Sequence, residues 1–211
     1  IQSQLVGDFN SQNLLAAVGA GIALGFSVET ISKGLQAVRA VPGRMEKVNG
    51  DGHEELPLVL VDYAHTPDAL EKALGAVRSI TDGRLICVFG CGGDRDPTKR
   101  APMGRAATLN SDWALLTSDN PRTEEPNKIA EAVIVGLEAA GACRGGLENY
   151  RAYEVELDRS VAIATAIKNA SAKDCILIAG KGHEDYQIIG TVKRSFDDRK
   201  EALKALEELR E

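Results

Sequence analysis

A chain of 211 residues can bury a sizeable core, as one ordinary domain or as one domain with part of another. Its formal net charge of −6, with only four Phe, one Trp and four Tyr, excludes the basic stripes and stacking rings of a nucleic-acid surface, while local basic clusters leave small anionic ligands open. No run approaches the ~20 apolar residues of a membrane span, no basic-then-apolar leader opens the chain, and the four cysteines form no C-x-x-C pair, which reads as buried reduced thiols in a cytoplasmic protein.

The chain opens at Ile1 rather than Met, directly on a polar loop and a helix, and reads as the C-terminal part of something longer. "NLLAAVGAGIAL" (residues 13–24) and "SVETISKGLQAV" (27–38, with Ser27 as N-cap) carry helical patterns, and two helices alone cannot close a core. Val41-Pro42-Gly43 breaks the pattern, and "NGDGHEE" (49–55) is turn chemistry, so a boundary is expected near Pro42, dividing 1–41 from 42–211.

From there the pattern alternates. "LPLVLVDY" (56–63) reads as a buried strand and "PDALEKALGAVRSI" (67–80) as a helix opened by proline. The unit repeats as strand 84–90 and helix 98–110, then as strand 113–118 and helix 127–140. A weaker strand at 150–157, a helix at 158–170, a strand at 175–180, the segment "TVKRSF" and a last amphipathic helix from Asp197 complete the series. The fold class expected is α/β, an open, doubly wound and mostly parallel sheet.

In such sheets ligands gather where the carboxyl ends of strands meet helix N-termini. Four loops at that edge are strongly polar: "DYAHTPD", "GCGGDRDPTKR", "DNPRTEEP" and "KGHEDYQ". Each alone is compatible with capping and turn chemistry; four on one edge favour a polar ligand site. Arg95 and Arg122 are planar forks suited to carboxylate or phosphate, and Glu184 and Asp185 suit an ammonium or a metal, so both signs converge as for a zwitterion. Asn120-Pro121 stiffens the chain before Arg122 and preorganises its guanidinium, unless that arginine simply pairs with Glu124 or Glu125.

Neither glycine-rich segment is a nucleotide fingerprint. "GCGGDRD" lacks the G-x-x-x-x-G-K-[ST] of a phosphate loop, which occurs nowhere in the chain, and "GAGIALG" misses G-x-G-x-x-G spacing inside a helix, where close packing accounts for it. His53 reads as solvated. His65 and His183 each follow a strand and are site candidates, though no partner stands at a metal-ligand spacing.

The ordered series "GDFNSQNLLAA", "GRME", "VDYAHTPDAL", "GCGGDRDPTKR", "TSDNPRTEEP", "AGKGHEDYQ" and "FDDRKEA" resembles the Mur ligases, and within them the branch that adds meso-diaminopimelate to UDP-N-acetylmuramoyl-L-alanyl-D-glutamate (UDP-MurNAc-L-Ala-D-Glu) during peptidoglycan synthesis. The resemblance covers nearly the whole chain but only the C-terminal part of that protein. It implies three domains, of which residues 1–41 would be the last helices of the central ATPase and 42–211 the Rossmann-like domain that brings in the amino acid. ATP and Mg²⁺ would act in the full-length enzyme, with the metal ligands, the phosphate loop and the UDP site outside this chain, which should not catalyse alone.

Carried over motif by motif, the resemblance places diaminopimelate at Arg95, Asp119, Asn120, Pro121, Arg122, Gly180 and Glu184. Arg122 would be the specificity residue, because a guanidinium facing the distal carboxylate rejects lysine, which has none. Asn13, Arg44, Asp62 and His65 would face ATP. Two other readings stand beside this one: a binding module for an amino acid or nucleotide with no reaction, and a relative that adds lysine.

Overall fold

The computed structural model describes residues 3, 5, 7, 9–49 and 55–210, so His53 and most of its turn lie outside the described residues. Two helices, α1 (Phe9–Ala23) and α2 (Val28–Ala37), open the chain. They are followed by β1 (Glu46–Lys47), β2 (Leu58–Asp62), α3 (Pro67–Arg78), β3 (Leu85–Phe89), α4 (Arg100–Asn110), β4 (Trp113–Leu116) and α5 (Pro126–Ala139). Then come β5 (Cys143–Arg144), β6 (Ala152–Val155), α6 (Arg159–Asn169), β7 (Cys175–Ala179), the pair β8 (Tyr186–Ile189) and β9 (Val192–Ser195), and α7 (Asp198–Glu208).

Among the described residues the main sheet has the order β1-β2-β7-β3-β4-β6-β5, parallel throughout except for β1, which runs antiparallel to β2 at one edge. The open parallel sheet expected from the alternation is therefore present. Strand β7 sits between β2 and β3, so the chain steps outward through β3, β4 and β6 and returns by α6 to the gap beside β2. That reversal creates the crevice in which the loops after β2, β3, β4 and β7 meet.

The strands alternate their side chains between two apolar layers, as the two-residue period of a pleat requires. Leu60, Cys87, Phe89, Leu116 and Leu177 face Leu70 and Leu74 of α3, Met103 of α4 and Val133 of α5. Val61, Ile86, Val88, Leu115 and Ile178 face Ile163 and Ile167 of α6 and Leu206 of α7. With both faces covered, the central strands read as continuous apolar runs.

Helix boundaries follow local chemistry. Thr66 caps α3 by accepting from the Ala69 N–H, with Pro67 opening the first turn; Asp158 accepts from Ser160 and Val161 at the start of α6; Asp197 accepts from Arg199 at the start of α7. Ser27 caps α2 as the sequence indicates. That helix buries none of its residues, and Leu15, Ile22, Leu24, Phe26 and Val28 leave an exposed apolar face on the opening pair.

One expectation is corrected, and two sets of short strands appear that the sequence pattern did not assign. The segment "TVKRSF" supplies β9 of a separate antiparallel hairpin with β8, turning at Gly190, where φ is 60°. Cys87, Cys91 and Cys175 are buried, but Cys143 is exposed, because it lies on the short edge strand β5. Short edge strands β1 and β5 had too few residues to show a period.

Candidate functional site

The loop after β4 carries Ser118, Asp119, Asn120, Pro121 and Arg122, and it is clamped from two sides. Arg122 takes φ 53°, a left-handed conformation that a non-glycine residue holds only under constraint. Its N–H donates to Ile188 O at 3.1 Å and its carbonyl accepts from Gly190 N at 2.7 Å, so the arginine is stitched as a parallel bridge beside β8. On the other side, Gly93 N donates to Asn120 O at 2.9 Å, and a Cβ at Gly93 would come within 1.9 Å of Pro121 O. "GCGG" is thus a surface of bare backbone against which "DNPR" lies, which gives its glycines a physical reason.

The guanidinium of Arg122 donates through Nη1 to Gly93 O at 2.7 Å and to Asn120 O at 3.3 Å. No ion pair joins it to a carboxylate among the described residues. The alternative pairing with Glu124 does not occur, since Glu124 accepts from Arg100 at 2.8 and 2.9 Å and from Asp94 N at 2.6 Å, which together hold its carboxyl below its ordinary range. Thr123 donates through its hydroxyl and its N–H to Asp94, depressing that carboxyl as well and fixing the neighbouring turn. Arg95 is exposed and donates weakly to Asp94 O at 3.5 Å.

Asn120 is buried, and both ends of its amide are used. Its Nδ2 donates to Glu184 Oε2 at 3.1 Å, while its Oδ1 accepts from Lys181 Nζ at 3.0 Å and from Ile188 N at 2.9 Å. Lys181, fully buried, also donates to Tyr186 O at 2.9 Å and stands 3.2 Å from Asp119 Oδ1 and 3.8 Å from Glu184 Oε2. Burial pushes its ammonium below its ordinary value, against the opposing pull of Asp119. Gly180, at φ 118°, turns the chain out of β7 so that Lys181 points inward and Glu184 returns over the crevice.

A second buried charge pair lies beneath. Arg159 Nε and Nη2 donate to the two carboxylate oxygens of Asp198 at 2.7 and 2.8 Å, and Nη2 also donates to Ala179 O at 3.0 Å. Burial opposes that charge, but Asp198 more than offsets it and raises the guanidinium above its usual value. This explains "FDDR" in the sequence: Asp197 caps α7 and chelates Arg199, while Asp198 anchors α6 under the end of β7.

Asn13, Arg44, Asp62 and His65 lie on the side of the crevice facing α1. Asn13, Arg44 and Asp62 line a cavity of about 670 Å³ between the opening helices and α3. Asn13 Nδ2 donates to Asn10 Oδ1 at 3.0 Å. The Arg44 guanidinium stands 4.8 Å from the centre of the Tyr63 ring, and the His65 and His183 rings flank that tyrosine at 4.6 and 5.8 Å. Asp62 already accepts from Met45 N at 2.9 Å and Ala64 N at 2.8 Å, so its visible work is to fold the strand end. His65 is exposed and sits beside the cavity, outside its lining.

The structure therefore groups Asp119, Asn120, Pro121, Arg122 and Glu184 tightly, with Arg95 at the rim, and sets Asn13, Arg44, Asp62 and His65 apart. Sequence reasoning overlooked Lys181, Arg159, Asp198 and Tyr63. A lysine between two glycines at the end of an all-apolar strand is the signal that marks Lys181: a strand buried on both faces leaves its next side chain little access to water.

A family profile described as "Mur ligase, glutamate ligase domain" matches residues 43–182. A curated relative from Gloeobacter violaceus, named UDP-N-acetylmuramoyl-L-alanyl-D-glutamate--2,6-diaminopimelate ligase, is 53% identical over 208 residues, covering 99% of this chain and 40% of the relative. A protein of the same name from Parasynechococcus marenigrum is 52% identical over 206 residues, covering 97% and 39%. The chain thus spans about two fifths of the length of these relatives. A solved structure of a ligase with that name superposes with a TM-score of 0.73 at 38% identity, over 100% of this chain and 41% of that one. The UDP-N-acetylmuramate-alanine ligase MurC of Thermotoga maritima shares the fold, with a TM-score of 0.66 at 18% identity, over 97% and 38%.

Proposed function

Because the chain belongs to the Mur ligase family, we propose that it is the amino-acid-binding part of an ATP-dependent ligase that adds meso-diaminopimelate to UDP-MurNAc-L-Ala-D-Glu. The observation that carries this reading is Arg122, a backbone-clamped guanidinium with no carboxylate of its own beside two carboxylates, Asp119 and Glu184, that share one lysine. Among the described residues such a site offers a guanidinium without an ion pair and, on the same loop and the turn after β7, more carboxylates than cations to pair them, which matches an amino acid head.

In the reaction, ATP phosphorylates the γ-carboxylate of D-glutamate and the amine of diaminopimelate attacks the resulting acyl phosphate, releasing phosphate and forming an amide. Diaminopimelate has an amino acid head at each end, so one end reacts while the other is held. Asp119 and Glu184 receive the ammonium of the held end, Asn120 orients Glu184, and Arg122, with Arg95 at the rim, receives its carboxylate. Gly180 leaves room beside them, and Pro121 limits the freedom of the loop. Lysine lacks the distal carboxylate and would leave Arg122 unpaired, which favours the diaminopimelate reading over a lysine-adding one.

Residues 1–41 are assigned to the end of the central ATPase domain and 42–211 to the C-terminal domain; the exposed apolar face of α1 and α2 supports this, since a domain surface left apolar wants a neighbour. Asn13, Arg44, Asp62 and His65 would then face ATP at the join. Mg²⁺, where the full-length enzyme binds it, would neutralise phosphate charge. Its ligands are assigned to the part of the full-length enzyme outside this chain, and no step here runs through it. The substrates place the enzyme in the cytoplasm, and no helix among the described residues is long and apolar enough to cross a membrane.

The test is ligation by the full-length protein carrying this chain, comparing meso-diaminopimelate with L-lysine. Amide product with diaminopimelate and little or none with lysine is expected. Equal use of both would overturn the role of Arg122, and no product with either would leave the binding-module reading. The 211-residue chain by itself, without a phosphate loop in its sequence, is expected to yield no product.

A further inference from the structure

Lys181 occupies an unusual position for a lysine. It is fully buried, it belongs to no helix or strand, and its ammonium touches residues from three separate segments: Asp119 and Asn120 after β4, Glu184 in its own turn, and the Tyr186 carbonyl at the start of β8. The Tyr186 ring lies 5.9 Å away on one side. Arg159 from α6 and Asp198 from α7 act on it from below, the first opposing its charge and the second supporting it. Two of its donors are spent on Asn120 Oδ1 and the Tyr186 carbonyl, and the two carboxylates stand at 3.2 and 3.8 Å to balance its charge. Such a group does more than fill space, because buried charge is retained only where its surroundings compensate it.

Two consequences follow from the geometry. First, Lys181 and Ile188 N together claim Asn120 Oδ1, which leaves Nδ2 directed at Glu184 and fixes the orientation of that carboxylate. Second, counted by formal charge, the cluster holds three carboxylates, the part-buried Asp119 and Glu184 and the buried Asp198, against two buried cations, Lys181 and Arg159, leaving one net negative charge. One surplus negative charge is what a single ligand ammonium neutralises. Without Lys181 the surplus would be two, and two carboxylates that had faced one nitrogen would face each other.

Building on the reading above, we propose that Lys181 is a positioning residue that sets the charge of the amino-acid site, holding Asp119 and Glu184 apart so that together they accept one ammonium. It contacts the acceptors and leaves the reacting atoms to others.

The experiment uses the full-length protein carrying this chain and measures the KM for diaminopimelate and for ATP from pH 6 to 8.5. The unmodified protein comes first: product with diaminopimelate keeps the functional reading, and its absence would defeat that reading before Lys181 is tested. Lys181→Met keeps the apolar stem and removes the charge. Its KM for diaminopimelate is expected to rise about tenfold or more at pH 7 and to fall as pH rises, because like-charge repulsion leaves one carboxylate protonated until higher pH. The KM for ATP should stay within about twofold over the same range, as a change confined to one site requires. The double variant Lys181→Met/Asp119→Asn restores the surplus of one and should flatten the pH dependence again, whatever affinity it loses. A Lys181→Met protein that fails to fold, judged by its thermal transition, transfers the decision to the double variant. A pH-dependent KM in the double variant, or an unaltered KM for diaminopimelate in the single one, would overturn the charge-setting role.

Discussion

The two edges of the sheet carry the same kinds of side chain and use them in opposite ways. At the amino ends of the strands, Asp174 accepts from Arg84 N, from the Arg84 guanidinium and from Ser171 N, and Asp112 accepts from Arg78 and from Leu85 N. Each of these two acids has its own arginine and its own backbone donor, which closes the loops. At the carboxyl ends, Arg122 spends one nitrogen on carbonyls and makes no ion pair among the described residues, while Asp119 and Glu184 share a single lysine. The difference teaches that a site is marked less by the presence of charge than by charge left without its own partner.

That comparison is sharpened most strongly by removing the support of the carboxyl edge. Asp198→Ala strands the guanidinium of Arg159 in the interior and is expected to cost about 3–5 kcal/mol of stability, the range for breaking a buried pair from one side; urea unfolding of the variant measures it, and a loss below about 1 kcal/mol would show the pair to be dispensable. Next comes the free cation itself. Arg122→Ala in the full-length protein should raise the KM for diaminopimelate about 100-fold, roughly 2.7 kcal/mol, and leave the KM for ATP nearly unchanged. An unchanged KM for diaminopimelate would break the contrast between the edges.

The amino edge has its own signature in acid. Burial raises the Asp174 carboxyl but the hydrogen bonds from Arg84 and Ser171 outweigh it and hold the pKa at about 2. A depressed folded-state value means stability that is fully present above the unfolded value near 3.8 and is lost as pH falls through about 2. The expected contribution is on the order of 2 kcal/mol. Asp174→Asn should therefore reduce the steepness of acid unfolding between those pH values, measured as thermal midpoint against pH. The smallest effect is expected on the side proposed to face ATP, where His65 is exposed: His65→Ala should change the KM for ATP by about threefold at most and leave that for diaminopimelate alone, consistent with an exposed side chain that makes few contacts.

Much of this was legible in the sequence, for physical reasons that can be named. Strands buried on both faces appear as unbroken apolar runs, and Pro67, Ser27 and Asp197 announce helix starts through fixed φ or capping oxygens. The polar loops could be assigned to one edge because parallel connection puts them there. What escaped was set by long-range geometry. The β8–β9 hairpin lacks a clean alternation, and its signal was a turn at Gly190-Thr191 between two short runs. Arg159 and Asp198 are 39 residues apart and meet only because α6 and α7 share a face of the sheet. No local pattern distinguishes that pair from solvated charges.

The positive φ of Arg122 also bears on how substrate choice can change over evolutionary time. Any residue that replaces this arginine inherits a left-handed backbone tied by two hydrogen bonds to β8, and a β-branched side chain is strained in that conformation. Glycine and asparagine adopt it readily; valine and isoleucine do not. The position proposed to read the far end of the ligand therefore draws on a restricted alphabet, which leaves the rim, at Arg95, less constrained than the arginine that anchors the loop.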